Sequence, residues 1–215
     1  MPRSGNTGRK AWQRFLEGGK GNMGIHTLFI MLISAGLALG IYGVVIQEGA
    51  NLVRMDVRTG IMALTWGTIH VGASLAGYGA GRWILNFEIS KERSIFWVNL
   101  LAGLILAGIG VRMLMKAVQK KTFLEHRIEQ LDIRQDLLLA LRMCVHGLFA
   151  GIACGLLQYS LPVVLICAFI ISVVSAAGGY ISGQIWGAEP CSRAFGMGGV
   201  LLFLIGIALQ LVRFG

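Results

Sequence analysis

Residues 161–182 read LPVVLICAFIISVVSAAGGYIS, a stretch without a single charged side chain. An α-helix needs about 20 mostly apolar residues to cross the hydrocarbon core of a bilayer. The glycines and serines of this stretch lie among valine, isoleucine and alanine, so they do not form a polar linker. The stretch therefore predicts a membrane-spanning helix in the second half of the chain.

Further stretches of similar length and composition lie on both sides of it. With the first one, they make up residues 25–46, 59–81, 95–115, 137–158, 161–182 and 195–213. The connections between them are short, except for one polar segment. We therefore predict an all-α membrane protein with six transmembrane helices.

The polar segment, residues 116–136, divides the predicted helices into two halves of three. A basic tail, residues 1–24, precedes the first half at 25–115, and the second half occupies 137–213. Because each half has an odd number of spans, the two halves must cross the membrane in opposite orientations. This predicts two inverted three-helix repeats, a plan found in many transporters, whose binding sites lie where the repeats meet.

Short matching motifs support the repeat. Residues 76–82 read AGYGAGR in the second span, and residues 178–184 read GGYISGQ in the fifth. The third and sixth spans share a glycine spacing, at Gly103 and Gly110 and at Gly199 and Gly206. Both halves thus carry the same small-residue pattern in corresponding spans.

Composition excludes several classes of protein. Charged residues make up 13% of the 215 residues and hydrophobic types 55%, whereas soluble domains carry about 25% charged residues. A soluble enzyme, a disordered protein and a nucleic-acid reader are therefore not expected. The net charge of +9 is typical of juxtamembrane Lys and Arg that meet lipid headgroups. We expect a multi-pass protein of the cell membrane, most simply a bacterial plasma membrane, in contact with lipid and not with nucleic acid.

The N-terminus resembles a signal peptide, because a basic segment precedes an apolar one. The apolar stretch 25–46 is longer than the ~7–15 residues of a signal-peptide core, so we interpret it as a retained first span. Basic residues are balanced between the two sides of a six-span topology, and the orientation stays open.

Small residues recur at intervals of four in several spans. This spacing keeps them on one helix face, where they allow neighbouring backbones to approach closely. The glycines expected at such helix contacts are Gly77, Gly81, Gly147, Gly151, Gly179 and Gly183.

Two histidines lie at membrane depth. His70 precedes the small-residue face of the second span, and His146 lies about ten residues into the fourth. An imidazole inside a membrane can bind a transition metal or pass a proton. The alternative is a neutral histidine that makes one interhelical hydrogen bond. We interpret the pair as a candidate metal site that faces a common interior.

No other chemistry is indicated. The chain lacks the motifs of hydrolases, kinases and nucleotide-binding proteins, and its acidic residues all fall in tails, in loops or at predicted helix ends. We predict no enzyme activity and no cofactor. Arg112 and Arg142 lie near span ends, from which long basic side chains reach the interface. Arg142 is also one turn from His146, where its charge would oppose a bound cation.

The pattern resembles the MntP family of manganese efflux pumps, in the LysE-type transporter superfamily. Residues 57–82, VRTGIMALTWGTIHVGASLAGYGAGR, are similar to the family's second span. Residues 110–114, GVRML, are similar to its Gly-x-Arg-Met ending of span three, and residues 140–157, ALRMCVHGLFAGIACGLL, to the start of its second half. The resemblance extends over about 25–213 and implies a cation exporter.

The resemblance fails at the residues that it assigns to the cation. The family has an Asp-Ala pair in span one and another in span four, and these Asp positions fall on Gly40 and His146. An acidic residue of the family's span two falls on His70. Carboxylates suit Mn²⁺, whereas imidazoles suit Zn, Ni or Cu.

Three functions stay open at this point. The first is a secondary transporter that exports a divalent metal cation, using His70 and His146. The second is a non-transporting accessory or structural membrane protein on the same scaffold, which the missing carboxylates favour. The third is an exporter of small solutes such as amino acids. The substrate, the coupling ion, the direction of transport and the oligomeric state do not follow from the sequence.

Overall fold

The computed structural model describes residues 22–88, 94–119 and 132–211, and these residues form helices and short connections without strands. The helices are α1 Asn22–Asn51, α2 Val57–Glu88, α3 Ser94–Val118, α4 Ile133–Leu156, α5 Leu161–Trp186 and α6 Pro190–Leu211. The predicted all-helical class is confirmed. Most of the basic tail (1–21) and most of the central polar segment (120–131) lie outside the described residues.

Most of the helices are long and apolar enough to cross a membrane. The candidate spans in the described chain are Thr27–Asn51, Trp97–Val118, Ile133–Leu156, Leu161–Trp186 and Pro190–Gln210. They confirm five of the six predicted spans.

Helix α2, which contains the predicted span 59–81, is not among these candidates. Although it is the longest helix, it carries more polar side chains. The hydroxyls of Thr65 and Thr68 donate to the carbonyls of Ile61 and Leu64, each at 2.9 Å. Two of its polar groups are therefore satisfied within the helix itself.

The helices pack in three close pairs that share one core. Helix α2 lies against α4, α1 against α5, and α3 against α6, while α1 also contacts α6 and α2 also contacts α5. The largest side chains that are almost fully buried include Trp66, Tyr180, Leu106, Met113 and Leu202. The core thus draws on helices from both halves of the chain.

Glycines lie where α2 crosses α4. A Cβ atom added at Gly81 would stand 2.5 Å from the carbonyl oxygen of Ile152, and one added at Gly155 would stand 2.5 Å from that of Tyr78. Added Cβ atoms at Gly77 and Gly151 would collide with the backbones of Leu148 and Ser74. The two backbones can approach this closely only because side chains are absent.

Glycines also allow close backbone contact where α1 crosses α5. A Cβ atom at Gly49 would lie 2.6 Å from the carbonyl oxygen of Tyr180, and one at Gly183 would lie 2.6 Å from the amide nitrogen of Ala50. At Gly179 an added Cβ would lie 2.9 Å from Cβ of Val45. Both crossings therefore depend on glycine in each partner helix.

The polar segment is shorter in the structure than the sequence indicated. Helix α3 continues to Val118, and α4 begins at Ile133, where Asp132 caps it by accepting a hydrogen bond from the backbone N–H of Arg134 at 3.0 Å. Asp136 consequently lies in the first turn of α4 rather than in a loop.

Candidate cation site

His70 on α2 and His146 on α4 are both buried, with exposed fractions of 4% and 5%. They lie close enough to interact electrostatically. The α2–α4 crossing explains the proximity, because its glycines hold the two helices together along this length. Both imidazoles therefore point into the bundle and not towards its outer surface.

The His70 ring packs against α4 at Gly147. A Cβ atom added at Gly147 would stand 2.7 Å from Cε1, 2.9 Å from Nδ1 and 3.1 Å from Nε2 of His70. The hydroxyl of Ser74, one turn further along α2, donates to the carbonyl of Gly147 at 3.4 Å. Gly147 thus makes room for the ring beside His146.

The hydrogen bonding of His146 selects between its two tautomers. Nδ1 lies 3.3 Å from the carbonyl oxygen of Met143, which can only accept, so this hydrogen bond requires the proton to be on Nδ1. In the neutral ring Nε2 then holds a lone pair. Nε2 is buried and has no hydrogen-bond partner within the described residues. Metal-binding histidines have the same arrangement, with one ring nitrogen tied to a carbonyl and the other left for the metal.

The ends of two methionine side chains lie beside Gly40 on α1. A Cβ atom at Gly40 would lie 3.0 Å from Cε of Met113 and 3.7 Å from Cε of Met143. Thioethers are soft, flexible groups that fill irregular space. Thioether groups therefore lie beside Gly40, and one of them belongs to Met143, one turn before His146 on α4.

A basic side chain also approaches the site. Lys116 on α3 places Nζ 3.7 Å from Sδ of Met143 and 5.5 Å from the ring centroid of Phe195, and it interacts electrostatically with His146. Arg142, which the sequence suggested as an opposing charge, is exposed, as is Arg112. Lys116 and Arg112, both on α3, interact electrostatically with His146, and the effect of Lys116 is the larger.

The described residues contain no group of three or more His, Cys, Asp or Glu side chains that could hold a metal ion. His70 and His146 could supply two nitrogen ligands, and further ligands would have to come from water or from weaker donors.

Sequence reasoning missed Asp136, which is 1% exposed. Its Oδ2 accepts hydrogen bonds from Nε1 of Trp66 on α2 at 3.2 Å and from the hydroxyl of Tyr180 on α5 at 2.5 Å. Its Oδ1 is buried without a hydrogen-bond partner in the described part of the chain. The carboxyl group joins three helices within the bundle.

The sequence offered little sign of this role. Asp136 follows Asp132 and Arg134 in a polar segment, and its two partners lie far away along the chain. A usable signal is the four-residue spacing to Ala140, which puts Asp136 on the buried face of α4.

A protein-family model with the description "Putative manganese efflux pump" matches residues 54–210 of the chain. Several relatives carry the name "Putative manganese efflux pump MntP". The one from Methanoregula boonei is 28% identical over 179 residues, covering 83% of this chain and 92% of the relative. The one from Bifidobacterium longum subsp. infantis is 25% identical over 86% of this chain and 94% of the relative. The one from Neisseria gonorrhoeae is 23% identical over 86% and 96%. No solved structure matches the chain.

The family match confirms the resemblance inferred from the sequence, and it concerns transporters and not enzymes. Together with the candidate spans it confirms a multi-pass protein of the cell membrane. The match covers well over half of the chain, and it includes both His70 and His146. The protein therefore belongs to the MntP family of manganese efflux pumps.

Proposed function

We propose that the protein exports a divalent transition-metal cation through a six-helix bundle, with His70 and His146 at the cation site. The observation that carries the proposal is the lone pair of His146 Nε2, which is buried without a partner among the described residues. A buried polar atom without a hydrogen bond costs roughly 1–3 kcal/mol. A cation that binds there would remove this cost.

The relatives support a metal as the substrate, since they are named as manganese efflux pumps. The ligands favour a different preference in this chain. Imidazole and thioether groups bind the softer ions Zn²⁺, Ni²⁺ or copper, whereas Mn²⁺ favours carboxylate oxygens. We expect the order of affinities to place Zn²⁺ or Cu²⁺ above Mn²⁺.

Inverted halves are part of the proposal, and the glycine contacts support them. In the inverted-repeat arrangement Gly103 corresponds to Gly199, and Gly110 corresponds to Gly206. Because the symmetry exchanges the two halves, a contact between Gly103 and Gly206 must then be matched by a contact between Gly199 and Gly110. Both contacts exist: a Cβ at Gly206 would lie 2.7 Å from the Gly103 carbonyl oxygen, and one at Gly199 would lie 2.8 Å from that of Gly110.

The helix pairing supports the same symmetry. An exchange of halves converts the α1–α5 pair into the α4–α2 pair, and these are two of the three close pairs of the bundle. Because α2 is the counterpart of α5 in this symmetry, α2 would also cross the membrane and would raise the number of spans from five to six. The site lies on the α2–α4 pair, close to where the halves meet.

The test uses the full-length protein in proteoliposomes. Uptake or release of Mn²⁺, Zn²⁺, Ni²⁺, Co²⁺ and Cu²⁺ is followed with a metal-sensitive dye, and binding is followed by calorimetry in detergent. We expect H146A to lower flux and affinity at least tenfold while it leaves the fold intact.

The matched control is C144A. Cys144 lies two residues before His146 on α4, which places it about 200° away around the helix. Its flux should equal that of the unchanged protein. Flux of none of these ions, or full flux by H146A, would contradict the proposal. Absence of all metal flux would favour the non-transporting alternative, and transport of an amino acid instead would favour the small-solute exporter.

A further inference from the structure

Asp136 is the most deeply buried acidic side chain in the described part of the chain, and no basic side chain described there forms an ion pair with it. An ionised carboxylate inside an apolar bundle is costly unless a cation or a proton neutralises it. The structure must therefore provide for that neutralisation near the first turn of α4.

The two oxygens of Asp136 have different surroundings. Oδ2 accepts both hydrogen bonds, from Trp66 and from Tyr180, and Oδ1 accepts none from the described residues. The two donors leave a position at Oδ1 where a proton can bind. A metal ion would need several more oxygen ligands than the described residues supply.

Two further carboxylates, from Glu48 and Asp132, belong to the electrostatic surroundings of Asp136. Glu48 on α1 is half-buried and interacts electrostatically with both Asp136 and Asp132. Asp132, at the start of α4, is exposed. Burial rises from Asp132 through Glu48 to Asp136, and series of acidic side chains carry protons in pumps and transporters.

The groups that face Asp136 come from each neighbouring element. Helix α2 contributes Trp66, which does not titrate, α5 contributes the hydroxyl of Tyr180, and α1 contributes Glu48. Its own helix is preceded by Asp132. These groups supply hydrogen bonds and negative charge, which favours the sharing of a proton among the carboxyl groups.

The carboxyl group is separate from the histidine site but mechanically connected to it. Asp136 and His146 are ten residues apart on α4, which corresponds to about 15 Å along the helix axis. Trp66 is one turn before His70 on α2. A hydrogen bond to a charged acceptor is roughly twice as strong as one to a neutral acceptor. Protonation of Asp136 would therefore weaken the link between α4 and both α2 and α5.

We infer that Asp136 is the proton-binding site of the transporter and that the proton it takes up is exchanged for the exported metal cation. The proton moves from water through Asp132 and Glu48 to Oδ1 of Asp136 and leaves by the same carboxylates or after the bundle has rearranged. The exchange rests on the proposed export of metal, whereas proton binding at Asp136 does not depend on it.

Proton binding is tested by infrared difference spectroscopy of the full-length protein in nanodiscs during a pH titration. Beside the C=O bands of the exposed carboxyl groups, we expect one protonated-carboxyl component that appears as the pH falls and that is absent in D136N. The control is E189Q, because Glu189 is exposed and lies in the turn before α6; this variant should keep the component that D136N loses. A titration without such a component, or an identical component in D136N, would overturn the proton site.

A second variant keeps the test valid if D136N does not fold. Y180F retains the carboxyl group but removes one hydrogen bond from Oδ2, so this C=O component should shift in frequency and keep its intensity. A component that does not move in Y180F belongs to another carboxyl group and would contradict the assignment.

The exchange is tested in proteoliposomes that contain a pH-sensitive dye. A Zn²⁺ gradient should change the internal pH in the unchanged protein, and D136N should reduce this change at least tenfold while Zn²⁺ still flows down its gradient. Zn²⁺ flux without a pH change in the unchanged protein would overturn the exchange. Loss of Zn²⁺ binding in D136N would instead identify Asp136 as a metal ligand and would also overturn it. If no metal moves at all, the proposed function fails, and the infrared titration still decides the proton site.

Discussion

The α2–α4 pair and the α1–α5 pair use matching glycine contacts and carry different polar groups. Gly155 on α4 meets the carbonyl of Tyr78, and Gly49 on α1 meets that of Tyr180. Eight residues before these tyrosines stand His70 on α2 and Ser172 on α5, and both are buried.

The partner helices α4 and α1 also differ in the side chain at matching positions. Nine residues before Gly155 stands His146, and nine residues before Gly49 stands Gly40. The backbone crossings of the two pairs are therefore alike, while the fully buried acidic and basic side chains of the described residues, His70, Asp136 and His146, lie on α2 and α4. In this bundle the packing can be symmetric because backbone contacts need only small residues, whereas the chemistry depends on a few side chains of one pair.

The largest loss of stability is expected when a glycine at a helix crossing is replaced by a large residue. G81L and G183L each place a side chain against backbone atoms of the partner helix, at Ile152 and at Ile46. Backbone cannot move aside as a side-chain end can, so each change should cost roughly 3 kcal/mol or more. Thermal unfolding and folded yield in detergent measure the loss.

The control for the crossings is G79L. A Cβ at Gly79 would meet nothing within 4 Å, and leucine forms helix better than glycine, so its stability should be unchanged or slightly higher. A large loss in G81L with none in G183L would break the likeness of the two crossings.

Features that depend on neighbouring residues in the sequence could be predicted, whereas contacts between residues far apart in the sequence could not. The helices follow from composition along the chain, and the inward direction of His70 follows from its place before the small-residue face of α2. Both are local properties. The bonds from Asp136 to Trp66 and Tyr180 join residues far apart in sequence. Periodicity cannot show which helices meet there, so Asp136 was assigned to a loop segment.

The second prediction moves carboxylates into the site. The double variant G40D/H146D should raise the Mn²⁺ flux relative to the Zn²⁺ flux at least tenfold, because carboxylate oxygens suit Mn²⁺ better than imidazole does. Gly40 can accept a side chain, since its nearest neighbours are the flexible ends of Met113 and Met143. Flux assays with both ions measure the ratio. G40N/H146N, of similar size but without charge, should leave Mn²⁺ flux low, and an equal gain in that variant would rule out a role for the charge.

The third prediction compares the two tyrosines. Tyr78 donates to the carbonyl of Tyr159 at 2.7 Å, and Tyr180 donates to the carboxyl of Asp136. Hydrogen bonds to charged groups contribute about 1.5–3 kcal/mol and neutral ones about 1. Y180F should therefore cost about 2 kcal/mol and Y78F about 1, measured by chemical unfolding in detergent. The difference should vanish at low pH, where Asp136 is neutral. Equal costs at every pH would mean that Asp136 is never ionised in the folded protein.

The smallest effect is expected at Lys116 on α3, which lies next to Met143 of the α2–α4 pair. Its ammonium group interacts electrostatically with His146, and it opposes a cation that approaches the imidazole. Two unit charges in partly buried surroundings repel by an energy that falls with distance and with screening. K116L should therefore raise the affinity for Zn²⁺ about fivefold, which corresponds to about 1 kcal/mol. Calorimetry in detergent measures the change.

The same variant loses the contact with the Phe195 ring, which contributes roughly 0.5–1 kcal/mol to stability, so binding and unfolding must be measured separately. R193L is the matched control, because Arg193 is exposed on α6 and pairs only weakly with Glu189 at 3.5 Å. Zn²⁺ affinity in R193L should not change, because its charge is screened by solvent. A lower affinity in K116L would mean that Lys116 holds Met143 in place for the metal, and repulsion would then be the wrong account of its charge. A gain in K116L alone would show that the α2–α4 site is tuned by a cation from α3, which is a further way in which the chemistry departs from the symmetry of the packing.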